Sequence, residues 1–169
     1  MSEIVNKIKQ SKLETVDLEA MVRDEPISVL DIRPFLFQDL ILKEKEFREH
    51  IQAHDWSQYE GAWLGIVCSV DALIPAWAWM LVAVHASPYA KDVIFGDKVE
   101  VEKRVLQKKI ETFDWEIYRD RFVLLKGCSK MDLSPDTYLE ATKKLLPIAK
   151  KVMYGEACSN VPVYRAGRK

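Results

Sequence analysis

Three Cys-Ser pairs, Cys68-Ser69, Cys128-Ser129 and Cys158-Ser159, contain all the cysteines of this chain. A thiolate can ligate a soft metal or attack an electrophile, whereas a protonated thiol packs like a small apolar group. The neighbours of these cysteines favour chemistry. "AWLGIVC" and "FVLLKGC" are short apolar runs that read as buried strands ending at Cys68 and Cys128. A helix-forming stretch follows each, and the partial positive charge of a helix start favours thiolate. Cys158 follows a third run, "KVMYG". Acids stand in similar places: Asp31, Asp97 and Glu156 close strand-like runs, and Asp71 lies just after Cys68. Three cysteines with Asp97, Glu156 or Asp71 as a fourth ligand suit zinc, and three cysteines alone suit an iron–sulfur cluster with one open iron. No Cys-x-x-Cys spacing is present, so a site made by Cys68, Cys128 and Cys158 depends on the fold to gather them. Two alternatives remain beside it: a thiol enzyme using Cys68 as nucleophile, and a non-catalytic binding or assembly module. Whether the chain is an enzyme stays open.

Other chemistries lack their residues. There is no phosphate-binding Gly-x-x-x-x-Gly-Lys, no Gly-x-Gly-x-x-Gly and no Gly-x-Ser-x-Gly. His50 and His54 share a helix face with Phe47 and Ile51, and that helix should run back to the sheet edge opposite the cysteines. His85 ends a helix at the same opposite edge, so a Cys/His pair is disfavoured. A net charge of −1 gives no nucleic-acid signature, and the basic ending "YRAGRK" reads as solvated. "MSEIVNKIKQSK" has no apolar signal core, which points to a cytoplasmic protein. "ALIPAWAWMLVAVHA" is too short to span a membrane and reads as a buried helix. A protein partner or a homodimer is compatible with the sequence, and any small-molecule ligand stays unnamed.

The elements that must position these residues come in a repeating order. Residues 55–97 align with 114–156 at a step of about 59, with one gap on each side. Asp55, Trp56 and Tyr59 match Asp114, Trp115 and Tyr118; Cys68 and Pro75 match Cys128 and Pro135; "PYAKDVIFGD" matches "PIAKKVMYGE". The Asp-Trp-x-x-Tyr motif reads as a structural corner. Ser134 and Pro135 suit a helix N-cap and first turn, and the matching helix from Ala72, apolar nearly all round, should be buried more deeply than its twin. A weaker "FQD" at Phe37–Asp39 resembles a further strand end. With "ISVLDI" from Ile27 as the first strand, strand and helix alternate, which predicts a single α/β domain over 1–169. Its sheet should be mostly parallel, of about five strands, with helices on both faces and a C-terminal tail at 157–169. Carboxyl ends of parallel strands share an edge, and that edge would collect all three cysteines. The tail segment "NVPVY" should pack on its own domain or form a contact strand.

"LILKEKEFREHIQAHDWSQY", "CSVDALIPAWAWM", "KGCS" and "YGEACSNVPVY" together resemble the bacterial family catalogued as domain of unknown function 2480, over most of the chain. The resemblance carries over no activity and no catalytic residues. It implies a link to the gene neighbourhood of iron–sulfur cluster assembly, in line with the thiols.

Overall fold

A computed structural model describes residues 13–126 and 133–167. In chain order the elements are β1 Leu13–Asp17, α1 Ala20–Arg23, β2 Ile27–Asp31, α2 Glu44–Ala53, β3 Trp63–Val67 and α3 Ala76–Ala86. There follow β4 Asp92–Phe95, α4 Lys98–Thr112, β5 Phe122–Lys126, α5 Pro135–Leu145, β6 Lys151–Glu156 and β7 Ser159–Arg165. Short 3-10 turns occupy Arg33–Phe35, Trp56–Tyr59 and Trp115–Tyr118. The α/β class and the mostly parallel pairing are those that the alternation implies. The strands, however, form two sheets, β2-β3-β4 and β1-β5-β6-β7, rather than one of about five. The chain correspondingly divides into two compact units, one of residues 24–105 and the other of residues up to 23 with those from 106 onward.

In the unit of residues 24–105, β2, β3 and β4 pair in parallel. Side chains alternate along a strand, so Leu64 and Ile66 of β3 point to one face, where they join Phe47 and Ile51 of α2 and Ala78 and Val82 of α3 in the apolar core. Gly65 points to the other face. A Cβ there would lie 2.8 Å from Val101 Cγ2 of α4 and 2.6 Å from the Gly96 carbonyl oxygen, so α4 approaches the sheet through the space that the missing side chain leaves. Helices therefore cover both faces.

In the other unit β1, β5 and β6 pair in parallel and β7 adds an antiparallel strand. Val16, Ile110, Val123, Leu125, Leu145 and Val152 are among its buried side chains. β1 was not expected as a strand, and the tail that forms β7 was expected only to pack on its own domain or to form a contact strand. β1, "LETVD", offers too little alternation to stand out. The "NVPVY" tail packs on its own unit by lying along β6 with its side chains mostly exposed, so no amphipathic signal marks it.

Local geometry recurs at a step of 59 residues. Trp56 Nε1 donates to the Ile51 carbonyl at 2.8 Å, and Trp115 Nε1 donates to the Ile110 carbonyl at 2.8 Å. Asp55 accepts from the Ser57 N–H at 3.0 Å and Asp114 from the Glu116 N–H at 3.1 Å. Gly61 and Asp120 both adopt positive φ, at 67° and 60°. β3 meets β4 in the same register as β5 meets β6, Trp63 opposite Asp92 and Phe122 opposite Lys151. The helices keep the step without a gap, since Pro75 and Ser134 hold the N-cap positions of α3 and α5. Counting by element thus sets Cys128 against Ser69 rather than Cys68. The Phe35–Leu42 region is neither strand nor helix beyond its 3-10 turn and holds an isolated bridge between Phe37 and Ile41.

Candidate functional site

The two-sheet arrangement removes the premise that gathered the cysteines, because β3 and β6 end on different sheets. Cys68, at the carboxyl end of β3, is partly buried against the apolar core of its unit. Cys158 is exposed in the turn between β6 and β7. Cys128 lies outside the described residues. The acids named with them have local partners. Asp97 caps α4, accepting from the Val99 and Glu100 N–H groups at 2.9 and 3.1 Å. Glu156 lies 3.6 Å from the Lys126 ammonium, and Asp71 is exposed. Among the described residues no group of three His, Cys, Asp or Glu side chains could hold a metal ion. The zinc and iron–sulfur readings therefore gain no support from the residues described.

Asp31, at the carboxyl end of β2, organises this edge of its unit. Its Oδ1 accepts from the Arg33 N–H at 3.0 Å and the Ser69 N–H at 3.1 Å. Burial pushes its carboxyl up, but the Ser69 hydroxyl, these two N–H groups and the Arg33 charge outweigh it and hold the group below the ordinary carboxylate range. Ser69 thus ties two strand ends together. In the other unit, Glu19 lies two residues beyond β1, buried, and its Oε2 has no hydrogen-bond partner among the described residues. No sequence signal marked that acid.

The histidines join an aromatic cluster in the unit of residues 24–105. Phe35 stacks on His50 at 5.9 Å and meets His54 edge-on at 5.4 Å, while His85 lies 5.9 Å from Trp56. The His54 ring nitrogen is 3.0 Å from the Tyr59 hydroxyl. This is the corner that Asp-Trp-x-x-Tyr implied, with packing as its evident role.

A surface feature is left over. The outer side of α3 carries Ala76, Met80, Ala83 and Val84, with Met80 67% and Val84 68% exposed. Trp77, beside Phe47 and Arg48 of α2, flanks it on one side. Trp79 flanks it on the other, meeting Phe95 of β4 edge-on at 5.1 Å, and Phe95 is itself 74% exposed. This helix is the more deeply buried twin, as expected, burying Ala78, Val82 and Ala86 where α5 buries Ala141 and Leu145, yet it is not enclosed. An all-round apolar helix is ordinarily enclosed, but here one sheet lies beneath it and no described element lies over Met80 and Val84. The helix in the same place in the other unit, α5, repeats the flank, Tyr138 meeting Tyr154 at 5.4 Å and 89°. Its outer side is solvated, with Asp136 and Leu139 exposed and an ion pair between Glu140 and Lys143. At the step of 59 residues Met80 matches the equally apolar Leu139, but Ala83 and Val84 match Thr142 and Lys143, so the fully apolar outer side is particular to α3.

No helix among the described residues is long and apolar enough to cross a membrane. A family model described as "Protein of unknown function (DUF2480)" matches residues 2–166. No curated protein and no solved structure matches the chain.

Proposed function

We propose that this chain, which belongs to the family of proteins of unknown function DUF2480, acts as a self-assembling binding module whose two copies meet through the outer side of α3. The observation that carries this reading is the contrast between α3 and α5. Exposed apolar surface of more than a few hundred Å² marks an interaction site on most soluble proteins. Leu73, Met80, Val84 and Phe95 with the flanking tryptophans offer on the order of 700 Å², close to the roughly 800 Å² per partner of a stable interface. Charge selects the occupant. α3 contains no Asp, Glu, Lys or Arg, so a matching surface must also be apolar and uncharged, and the same face of a second copy has that chemistry. Two-fold pairing is the commonest way for such a patch to close on itself, and Ala76 and Ala83 leave room for close helix approach.

Sedimentation velocity of the full chain tests this. The native chain should sediment as a dimer at micromolar concentration. Met80→Glu with Val84→Glu should make it a monomer with unchanged far-UV circular dichroism, and Leu139→Glu on α5 should leave the dimer intact. A native chain that stays monomeric at about 100 µM, or a double variant that stays dimeric, would show that a second copy is not the occupant.

A further inference from the structure

At the amino-end edge of the β1-β5-β6-β7 sheet a cavity of about 580 Å³ opens where β5 and β6 begin and β7 ends. Its wall includes Arg119, Phe122, Leu146, Lys150, Tyr164 and Arg165. The cations are not equally engaged. Arg119 is committed to Glu116, to which it donates at 2.8 and 2.9 Å. Lys150 and Arg165 form no ion pair among the described residues, and Asp120, the acid in the wall, is not bridged to either. The rest of the surface is apolar or aromatic, with Phe122 39% and Leu146 40% exposed.

The other unit shows what such a place accepts. Fifty-nine residues before Phe122 and Lys150 stand Trp63 and Lys91. There the Glu25 carboxylate receives the Trp63 indole N–H at 2.7 Å and the Lys91 ammonium at 3.0 Å. The chain thus supplies its own anion to this edge in one unit. In the other, among the described residues, no carboxylate pairs with Lys150, the counterpart of Lys91; Glu14 of β1 lies 4.0 Å from Arg121 instead. The Phe122 side chain has no N–H to match the Trp63 indole. β7, which has no counterpart in the unit of residues 24–105, adds Tyr164 and Arg165 to the wall, and the Ala166 N–H donates to the Lys150 carbonyl at 2.9 Å to hold the strand end beside β6.

We infer that this cavity binds a small molecule bearing one oxyanion, a carboxylate or a phosphate monoester, on an apolar or aromatic body. Lys150 and Arg165 take the oxyanion, through charge-assisted hydrogen bonds. Phe122, Leu146 and Tyr164 receive the body, as the mixed lining of small-molecule sites generally does. The site is independent of the α3 face, so it stands or falls without the assembly reading.

The test is amide chemical-shift perturbation on the full-length chain with phenyl phosphate and, separately, phenylacetate. Either probe should give saturable shifts confined to residues near 119–122, 146–151 and 164–167, and the tighter of the two identifies the oxyanion. Lys150→Ala with Arg165→Ala should weaken binding at least tenfold while the spectrum elsewhere stays native, and Lys91→Ala in the other unit should leave it unchanged. Inorganic phosphate, which lacks the body, should bind at least tenfold more weakly. No shift at these amides with 10 mM of either probe, binding unchanged in the double variant, or inorganic phosphate binding as tightly as phenyl phosphate would each overturn the assignment.

Discussion

His54 and Phe113 hold corresponding places in two corners of the same geometry. Each ring stacks on the tyrosine five residues on, His54 on Tyr59 at 5.7 Å and Phe113 on Tyr118 at 6.0 Å. What histidine adds is a ring nitrogen beside the Tyr59 hydroxyl at 3.0 Å and the Gln58 amide nitrogen at 3.3 Å. Both groups can donate to that nitrogen only while it is unprotonated. Burial lowers the His54 pKa, partly offset by the Asp55 charge. The folded chain therefore resists a proton that the unfolded chain accepts near pH 6.5. Stability from this group is present above that pH and declines as pH falls towards the folded pKa, since the unfolded state then binds more protons. His54→Phe removes the dependence. In urea unfolding, the stability of the variant relative to the native chain should rise between pH 7.5 and pH 5, and a difference that does not change with pH would refute this account. The motif itself was legible in the sequence, because Asp, Trp and Tyr at fixed spacing bond within a few residues. The role of His54 was not, since it depends on how the ring packs against Phe35 and Tyr59.

At the scale of elements, a single missing side chain sets how α4 lies on its sheet. Gly65 is buried, and its surroundings leave no room for a methyl group, one of the two close atoms being the Gly96 backbone oxygen. A backbone atom cannot rotate away as a side chain can. Gly65→Ala should therefore cost about 2 kcal/mol, within the range for overpacked cores, and this can be read from the urea midpoint at an unchanged slope. A cost below about 0.5 kcal/mol would mean that α4 is free to shift. The corresponding residue of β5 is Leu124, also buried. The two strands thus keep one register and different packing on this face. Helix positions and the parallel pairing could be read from periodicity and turn residues. The open outer side of α3 could not, because periodicity reports how apolar a helix is and leaves open whether anything covers its second side.

At the scale of the whole molecule, residues 24–105 form a contiguous unit with its own sheet and core, ending within α4, whereas the other unit takes β1 from before that segment and the rest from after it. A unit with its own core can fold alone. A piece spanning 24–105, with Met80→Glu and Val84→Glu to keep it soluble, should show native-like far-UV circular dichroism and a cooperative urea transition. A gradual, featureless transition would mean that its core depends on the remainder of the chain. By itself the sequence determined the α/β class, the recurring order of elements, the Trp-Tyr corners and the family, because each of these follows from contacts between near neighbours or from residue identity. Only the tertiary structure decided that the strands split into two sheets, that Cys68 and Cys158 belong to different ones, that Met80 and Val84 face outward and that Lys150 and Arg165 border an open cavity. Strand partners are chosen across long stretches of chain, here β1 with β5 around an entire intervening unit, and local pattern carries no record of that choice.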